Sequence, residues 1–318
     1  MYPIIDVPHD APDDIEAVGS KRKFWYTRDR SGPVEDWLFK FARADTGEDW
    51  AEKIAAELCA CIGLPHATYE LAQWEEAADG QSYRRGIVSR RLDDENERLL
   101  LGNELLAGHV NRYPLTKGDR FYRNPNYTLE LTLDVLDNGE LDIRLNPEWQ
   151  LPDGVDTVPE AFLGFLLIDA WIGNTDRHDN NWGIIERSTQ AGPVRYLAPT
   201  FDHASSLGRE LRDEERRERL TTNDKNRTVE AYVERCRSAF VATEGSSKTI
   251  HPTKVFQRAA GLFPDAAKAW LRCLKIIPRD TVKDMFQRIP GGRISRPSIE
   301  FALRQLKINR HDLLNLHV

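Results

Sequence analysis

The chain has 318 residues, 40% of them hydrophobic, and its 44 basic and 51 acidic side chains give a formal net charge of -7. That is enough apolar material for a substantial core in one large domain or two lobes. The negative balance opposes nonspecific attraction to nucleic acid or an anionic membrane. A local basic run, Arg84, Arg85, Arg90 and Arg91, could meet phosphate but is more simply a solvated strand face. Cys59, Cys61, Cys236 and Cys273 lack CxxC spacing, which argues against a zinc site or a disulfide framework. The sequence has no uninterrupted apolar run of membrane-spanning length, and its start, "MYPIIDVPHDAPDDIE", is acidic where a secretory signal is basic and then apolar. A cytoplasmic protein is the expectation.

After that loose leader, "KFWYTR" (23–28) and "DWLFKFAR" (36–43) read as antiparallel strands joined through a Gly-Pro turn. "EDWAEKIAAELCACIGL" follows, with Trp50, Ile54, Leu58 and Cys61 at helical spacing, Asp49 or Thr46 as cap, and Gly63 with Pro65 as stop. "HATYELAQW" (66–74) and "SYRRGIVSRRL" (82–92) predict two further strands. Beyond residue 93 the pattern turns helical, near 97–109, 127–136, 159–172, 226–242, 252–262, 264–275, 279–288 and 297–306. "RELRDEERRER" (209–219) reads as an exposed helix, with a substrate-docking surface as its alternative. The expected fold is α+β and two-lobed: a small β-rich lobe over 1–92 and a larger helical lobe over 93–318, with the junction near 88–94.

One stretch of the helical half breaks the pattern. "PEAFLGFLLIDAW" is apolar nearly all round, predicting a helix buried on most sides. It ends at "IGN", and "TDRHDNNWGII" then gathers acids, amides, an arginine and a histidine before two short β-like runs, the second delivering "FDHASSLG". Such a topology lets Asp176, Asn181 and Asp202 converge. Asn181 and Asp202 are hard oxygen ligands suited to magnesium, which takes few protein groups and keeps positions for water and phosphate oxygens. Asp176 then stands free beside the metal to accept or orient the proton of an attacking hydroxyl. Lys40 alternates with its aromatic neighbours, so it is either an outward solubilising charge or an inward phosphate ligand. An inward lysine needs a counter-charge, for which Glu52 is the candidate and Glu48 and Glu57 are rivals.

"LFKFAR", the helix with Glu52, "NTDRHDNNWGII" and "APTFDHASSLG", taken together, resemble the HipA-like serine/threonine kinases, a bacterial branch of the protein-kinase fold. The resemblance implies that Asp176 is the catalytic base, that Asn181 and Asp202 hold Mg2+, and that Lys40 contacts the phosphates of ATP. It also implies a protein hydroxyl as acceptor and a toxin-type protein with an antitoxin or regulatory partner. Longer HipA proteins carry a further N-terminal subdomain, so the chain is expected to be a short, stand-alone member. "VGSKRKFWY" departs from the G-x-G-x-x-G phosphate loop; Gly19, Ser20 and Lys21, helped by Lys23, are its candidate phosphate contacts, with an ordinary turn as the alternative. Relatives are phosphorylated on a serine of this loop, which makes Ser20 a candidate, with Ser205 and Ser206 behind it.

Three rival readings stay open. Phosphoinositide lipid kinases carry similar catalytic segments, and a kinase-shaped, non-catalytic nucleotide-binding module would share the fold. His178 with Asp179 could belong to an HD-type metal phosphohydrolase, but Asn180, Asn181 and Gly183 break the helix such a pair needs. His178 is kept as a candidate cofactor contact, although satisfying the loop's own polar groups is its simpler role, as it is for Arg177. Trp171 and Trp182 read as packing residues rather than nucleotide stackers.

Overall fold

The two strands expected over 23–28 and 36–43 pair antiparallel in the computed structural model, which describes residues 1–12, 22–28, 35–76, 82–111, 113–114 and 124–318. β2 (Lys23–Arg28) runs against β3 (Glu35–Phe41), with Phe24 opposite Phe39 and Lys23 opposite Lys40. The turn between them, and Gly19, Ser20 and Lys21, lie outside the described residues. β4 (Tyr69–Glu75) and β5 (Tyr83–Arg90) are the other two expected strands. The leader corrects the sequence reading: Ile4–Val7 is a strand, β1, parallel to β4 with Ile4 opposite Leu71. Four residues between prolines carry too little periodicity to announce themselves, and only pairing with β4 makes them a strand. The sheet order is β1-β4-β5-β3-β2.

Alternation gives this sheet two unlike faces. Phe24, Tyr26, Trp37, Phe39 and Trp74 build an aromatic layer on one. Leu71 and Ile87 on the other join the main core together with α1 (Glu48–Cys61). Gly47, rather than Thr46 or Asp49, is the N-cap of α1, and Gly63 follows its end at φ 72°, a left-handed conformation that glycine adopts without penalty. The helix is buried on almost every side, Glu48, Asp49, Glu52 and Lys53 included. The arginine run on β5 and beyond is matched by acids: Arg84 with Glu76, Arg85 with Asp49, Arg90 with Glu35, and Arg91 with Asp36 and Asp93.

A segment far along the chain braces this sheet. Arg293 donates to Asp49 Oδ2 at 3.1 Å, to Gly86 O at 3.3 Å and to Ala72 O at 2.7 Å. Arg85 shares Asp49, also at 3.1 Å. Asp49 is 1% exposed and Arg293 6%, so the pair lies beyond the reach of solvent screening. Arg293→Met is expected to lower unfolding stability by about 1–3 kcal/mol, since Arg85 still holds the carboxylate while two carbonyls lose their donor. Denaturant titration checks this, and an unchanged midpoint would show that the brace carries no load.

The C-terminal part is mostly helical, and its differences from expectation are local. Residues 97–109 form a strand, β6 (Glu97–Leu101), and then α2 (Gly102–His109), rather than one helix. β6 pairs with β8 (Gly183–Arg187), so tertiary pairing overrides the helix propensity of three consecutive leucines. β7 (Ile143–Arg144), not anticipated, lies parallel to β9 (Val194–Leu197), which completes a sheet in the order β6-β8-β9-β7. α3 (Leu129–Leu136), α4 (Val158–Ile172), α7 (Pro252–Leu262), α8 (Pro264–Ile276) and α9 (Arg279–Gln287) fall within two residues of expectation. The helix expected over 226–242 is only α6 (Val229–Glu234), while α10 runs Arg296–Leu314. α5 (Asp213–Thr221) is the mixed-charge helix, mostly exposed, with Arg216 buried and Asp213, Arg219 and Leu220 half-buried. Among the described residues no helix is long and apolar enough to cross a membrane.

Candidate active site

The polar loop is built from the end of α4. That helix is buried all round, from Val158 to Ile172, with Thr157 and Glu160 closing a capping box at its start. Gly173 ends it at φ 68°, a left-handed conformation that favours glycine, and a Cβ there would oblige the Gln305 amide, 2.2 Å away, to shift. Inside the last turn Asp169, 4% exposed, accepts both arms of Arg177, Nε at 2.8 Å and Nη2 at 2.9 Å, and also Asn174 Nδ2 at 2.8 Å. Burial alone would lower the pKa of the Arg177 guanidinium, but Asp169 outweighs it and raises it. Arg177 Nη1 then donates to Asn181 O at 2.5 Å and to Phe201 O at 3.1 Å. One buried cation thus ties the helix end, the polar loop and the segment leading to Asp202 together.

Around that tie the loop is held by its own amides. Asp176 N–H donates to Asn174 Oδ1 at 3.0 Å, and Asn181 Nδ2 donates to Asp176 O at 2.7 Å. This fixes Asp176 with its side chain partly exposed, at 22%. It also leaves Oδ1 as the acceptor atom that the Asn181 amide could offer to a ligand. His178 accepts from Asn180 N–H through Nδ1 at 3.1 Å and has Nε2 3.8 Å from Asp176 Oδ1, so it orders the loop and flanks the carboxylate.

Asp202 reaches the same place from β9. Residues 65–67 and Thr200 pair across a parallel bridge, Thr200 N–H to Pro65 O at 3.0 Å and Ala67 N–H to Thr200 O at 2.9 Å. Asp202 adopts φ 59°, uncommon for any side-chain-bearing residue but least so for Asn and Asp, and its N–H donates to Tyr69 Oη at 3.0 Å. Its carboxylate lies 3.5 Å from Lys40 Nζ. Of the two directions the sequence leaves to the Lys40 side chain, the structure shows the inward one. Burial lowers the pKa of its ammonium, but the charge of Asp202 and then of Glu52 outweighs burial and raises it, so Lys40 stays cationic.

Glu52 lines the same small pocket as Lys40 and Ala204, and so does Glu48. Glu57 pairs with Lys53, and Glu48 with Arg43 and Arg209. Its contact differs from the expected counter-ion role, however. Glu52 accepts the backbone N–H groups of His203 at 2.7 Å and Ala204 at 2.9 Å, and His203 Nδ1 lies 3.2 Å away. Among the described residues Lys40 forms its ion pair with Asp202, and Glu52 anchors the turn that carries Asp202. His203 was not anticipated in this role, and its place directly after Asp202 was the available signal.

The remaining polar groups are structural. Asp179 accepts from Tyr113 Oη at 2.7 Å and Asn124 Nδ2 at 3.3 Å, and its pKa is raised chiefly by burial. Trp171 and Trp182 are fully buried, Trp182 donating to Tyr127 Oη at 3.0 Å. Asp169, Tyr69 and Arg209 were missed as site residues, while Ser205 was named only as a phosphorylation candidate behind Ser20. A charged residue inside an otherwise apolar helix was the available signal for Asp169.

The donors present suit magnesium: a carboxylate and an amide oxygen approach from two segments, with a lysine beside them and a partly exposed carboxylate opposite. Among the described residues no cluster of three His, Cys, Asp or Glu side chains competes as a metal site. Fold and site together define a two-lobed, kinase-like α+β protein. The crystal structure of the proinflammatory kinase CtkA of Helicobacter pylori matches it with a TM-score of 0.71, covering 99% of this chain and 100% of that one at 18% identity. HipA of Shewanella oneidensis MR-1, solved with HipB and operator DNA as a toxin–antitoxin system, matches with a TM-score of 0.53, covering 97% of this chain and 68% of that one at 11% identity. These are likenesses of fold, and they agree with the resemblance carried by the motifs. No protein-family model and no curated protein sequence matches the chain.

Proposed function

We propose that the chain is an ATP-dependent serine/threonine protein kinase that transfers the γ-phosphate of ATP to a protein hydroxyl. The observation that carries this reading is the gathering of Lys40, Asp176, Asn181 and Asp202, from three separate segments, around the single guanidinium of Arg177 and its two carbonyl partners. Phosphoryl transfer asks a protein mainly for alignment and for cancellation of charge on the phosphate oxygens. Lys40 supplies a cation beside Asp202, and Asn181 Oδ1 and Asp202 would hold magnesium. Asp176 receives or orients the acceptor's proton. Bound magnesium offsets the negative charge of the phosphates. A pure scaffold has no use for Asp176, which favours catalysis over nucleotide sensing alone. By the same analogy of fold, the proposal extends to a regulatory partner of the antitoxin kind.

Heat stabilisation tests nucleotide use directly. ATP with magnesium at about a hundred times its dissociation constant should stabilise the chain by roughly 2.7 kcal/mol. Asp202→Asn tolerates the left-handed backbone of that position while removing the charge, and it is expected to lose most of the magnesium-dependent part of the shift. A full magnesium-dependent shift in that variant would remove Asp202 from the metal site. Labelled ATP, with transfer to protein as the readout, separates a kinase from a module that only binds.

A further inference from the structure

The hydroxyl of Ser205 is aimed at the proposed base. Ser205 Oγ donates to Asp176 Oδ2 at 3.2 Å, and Arg209 Nη2 donates to the same serine oxygen at 3.1 Å. The backbone fixes this approach, because Thr175 N–H donates to Ser205 O at 3.1 Å. The neighbouring serine is used otherwise: Ser206 is buried and its hydroxyl donates to His203 O at 2.7 Å. Ser205 is only half-buried. Arg209 continues the chain of contacts to Glu48 in the first turn of α1.

A phosphoryl acceptor needs an oxygen whose proton already points at the base, within hydrogen-bond reach. Ser205 meets that requirement from within the molecule. We infer that Ser205 is an intramolecular acceptor, phosphorylated in cis by its own chain; this rests on the phosphotransfer reading above. In the step, Ser205 Oγ attacks the γ-phosphorus of ATP. The new O–P bond forms as the bond from that phosphorus to the β,γ-bridging oxygen breaks, and ADP departs with the electron pair. The hydroxyl proton passes to the carboxylate of Asp176. The product, a phosphate of charge about -1.5 to -2, stands between Asp176 and Arg209. Like charge turns it from the first, and the guanidinium receives it in competition with Glu48.

The test uses the full chain with ATP and magnesium, measuring ADP release and, by tandem mass spectrometry, the position of any phosphate across a dilution series. The expected result is phosphate on Ser205 with a rate constant independent of protein concentration. Ser205→Ala loses phosphate from that peptide altogether, and Ser205→Thr, which keeps a hydroxyl there, retains it. ADP release without phosphate on residue 205 overturns the inference and leaves the kinase reading intact. So does phosphate at 205 whose rate constant rises with protein concentration, because the transfer is then between molecules. If neither ADP nor phosphoprotein forms, both readings fall together.

Discussion

Asp176→Ala is expected to slow phosphotransfer about 10²- to 10⁴-fold, the contribution typical of a positioned general base, while ATP with magnesium still stabilises the chain against heat. The two halves of that expectation rest on separate atoms. Loop geometry around residue 176 depends on its backbone, whose N–H is held by Asn174 and whose carbonyl is held by Asn181. Neither bond is lost when the side chain is removed, so Asn181 and Asp202 stay where they are. The carboxylate itself touches Ser205 and flanks His178, both on the acceptor side. Single-turnover transfer measured beside thermal shift resolves the halves. A variant that transfers phosphate at the full rate would disprove the assignment of the base.

Arg177→Met should do more to the molecule as a whole. It removes both hydrogen bonds to Asp169 and leaves that carboxylate 4% exposed with only Asn174 as a side-chain partner. Breaking a buried pair from one side costs about 3–5 kcal/mol, a large fraction of the stability of any domain. Lysine should not repair it, since one ammonium cannot reproduce the planar fork that meets Asp169 while also serving the carbonyls of Asn181 and Phe201. Adding Asp169→Leu to Arg177→Met should recover much of the stability, because the unpaired charge is gone. It should not recover phosphotransfer, because the two carbonyls still lack their common donor. Denaturant midpoints and transfer rates across the set decide this. A single Arg177→Met variant within about 1 kcal/mol of the parent chain would contradict it.

The legible parts of the site were those whose chemistry shows in one residue and its spacing. Asp176 and Asn181 lie in one short loop after a helix whose apolar run ends at Gly173, and Asp202 follows a β-like run, so convergence could be read from order alone. Lys40 was half legible: alternation gave its face but not whether that face looks inward, which depends on α1 covering it. Glu52 was identified without its contacts. Its partners, the amides of His203 and Ala204, lie about 150 residues away, and no local pattern encodes a pairing across that distance. β1, β6 and β7 were lost for the same reason, being strands made by their neighbours rather than by their own sequence. Arg177 was read as a donor for the loop's own carbonyls, which it is. That it also closes on Asp169 needed coordinates.

The grip of Arg293 on Ala72, Gly86 and Asp49 spans 207 to 244 residues of sequence. During synthesis β4, β5 and α1 leave the ribosome long before that arginine exists, and loops of such length close late. The nascent sheet therefore waits, with the carbonyls of Ala72 and Gly86 unserved by that guanidinium and Asp49 held by Arg85, until residue 293 has been made. Translation that stops before this point yields a sheet without its clasp.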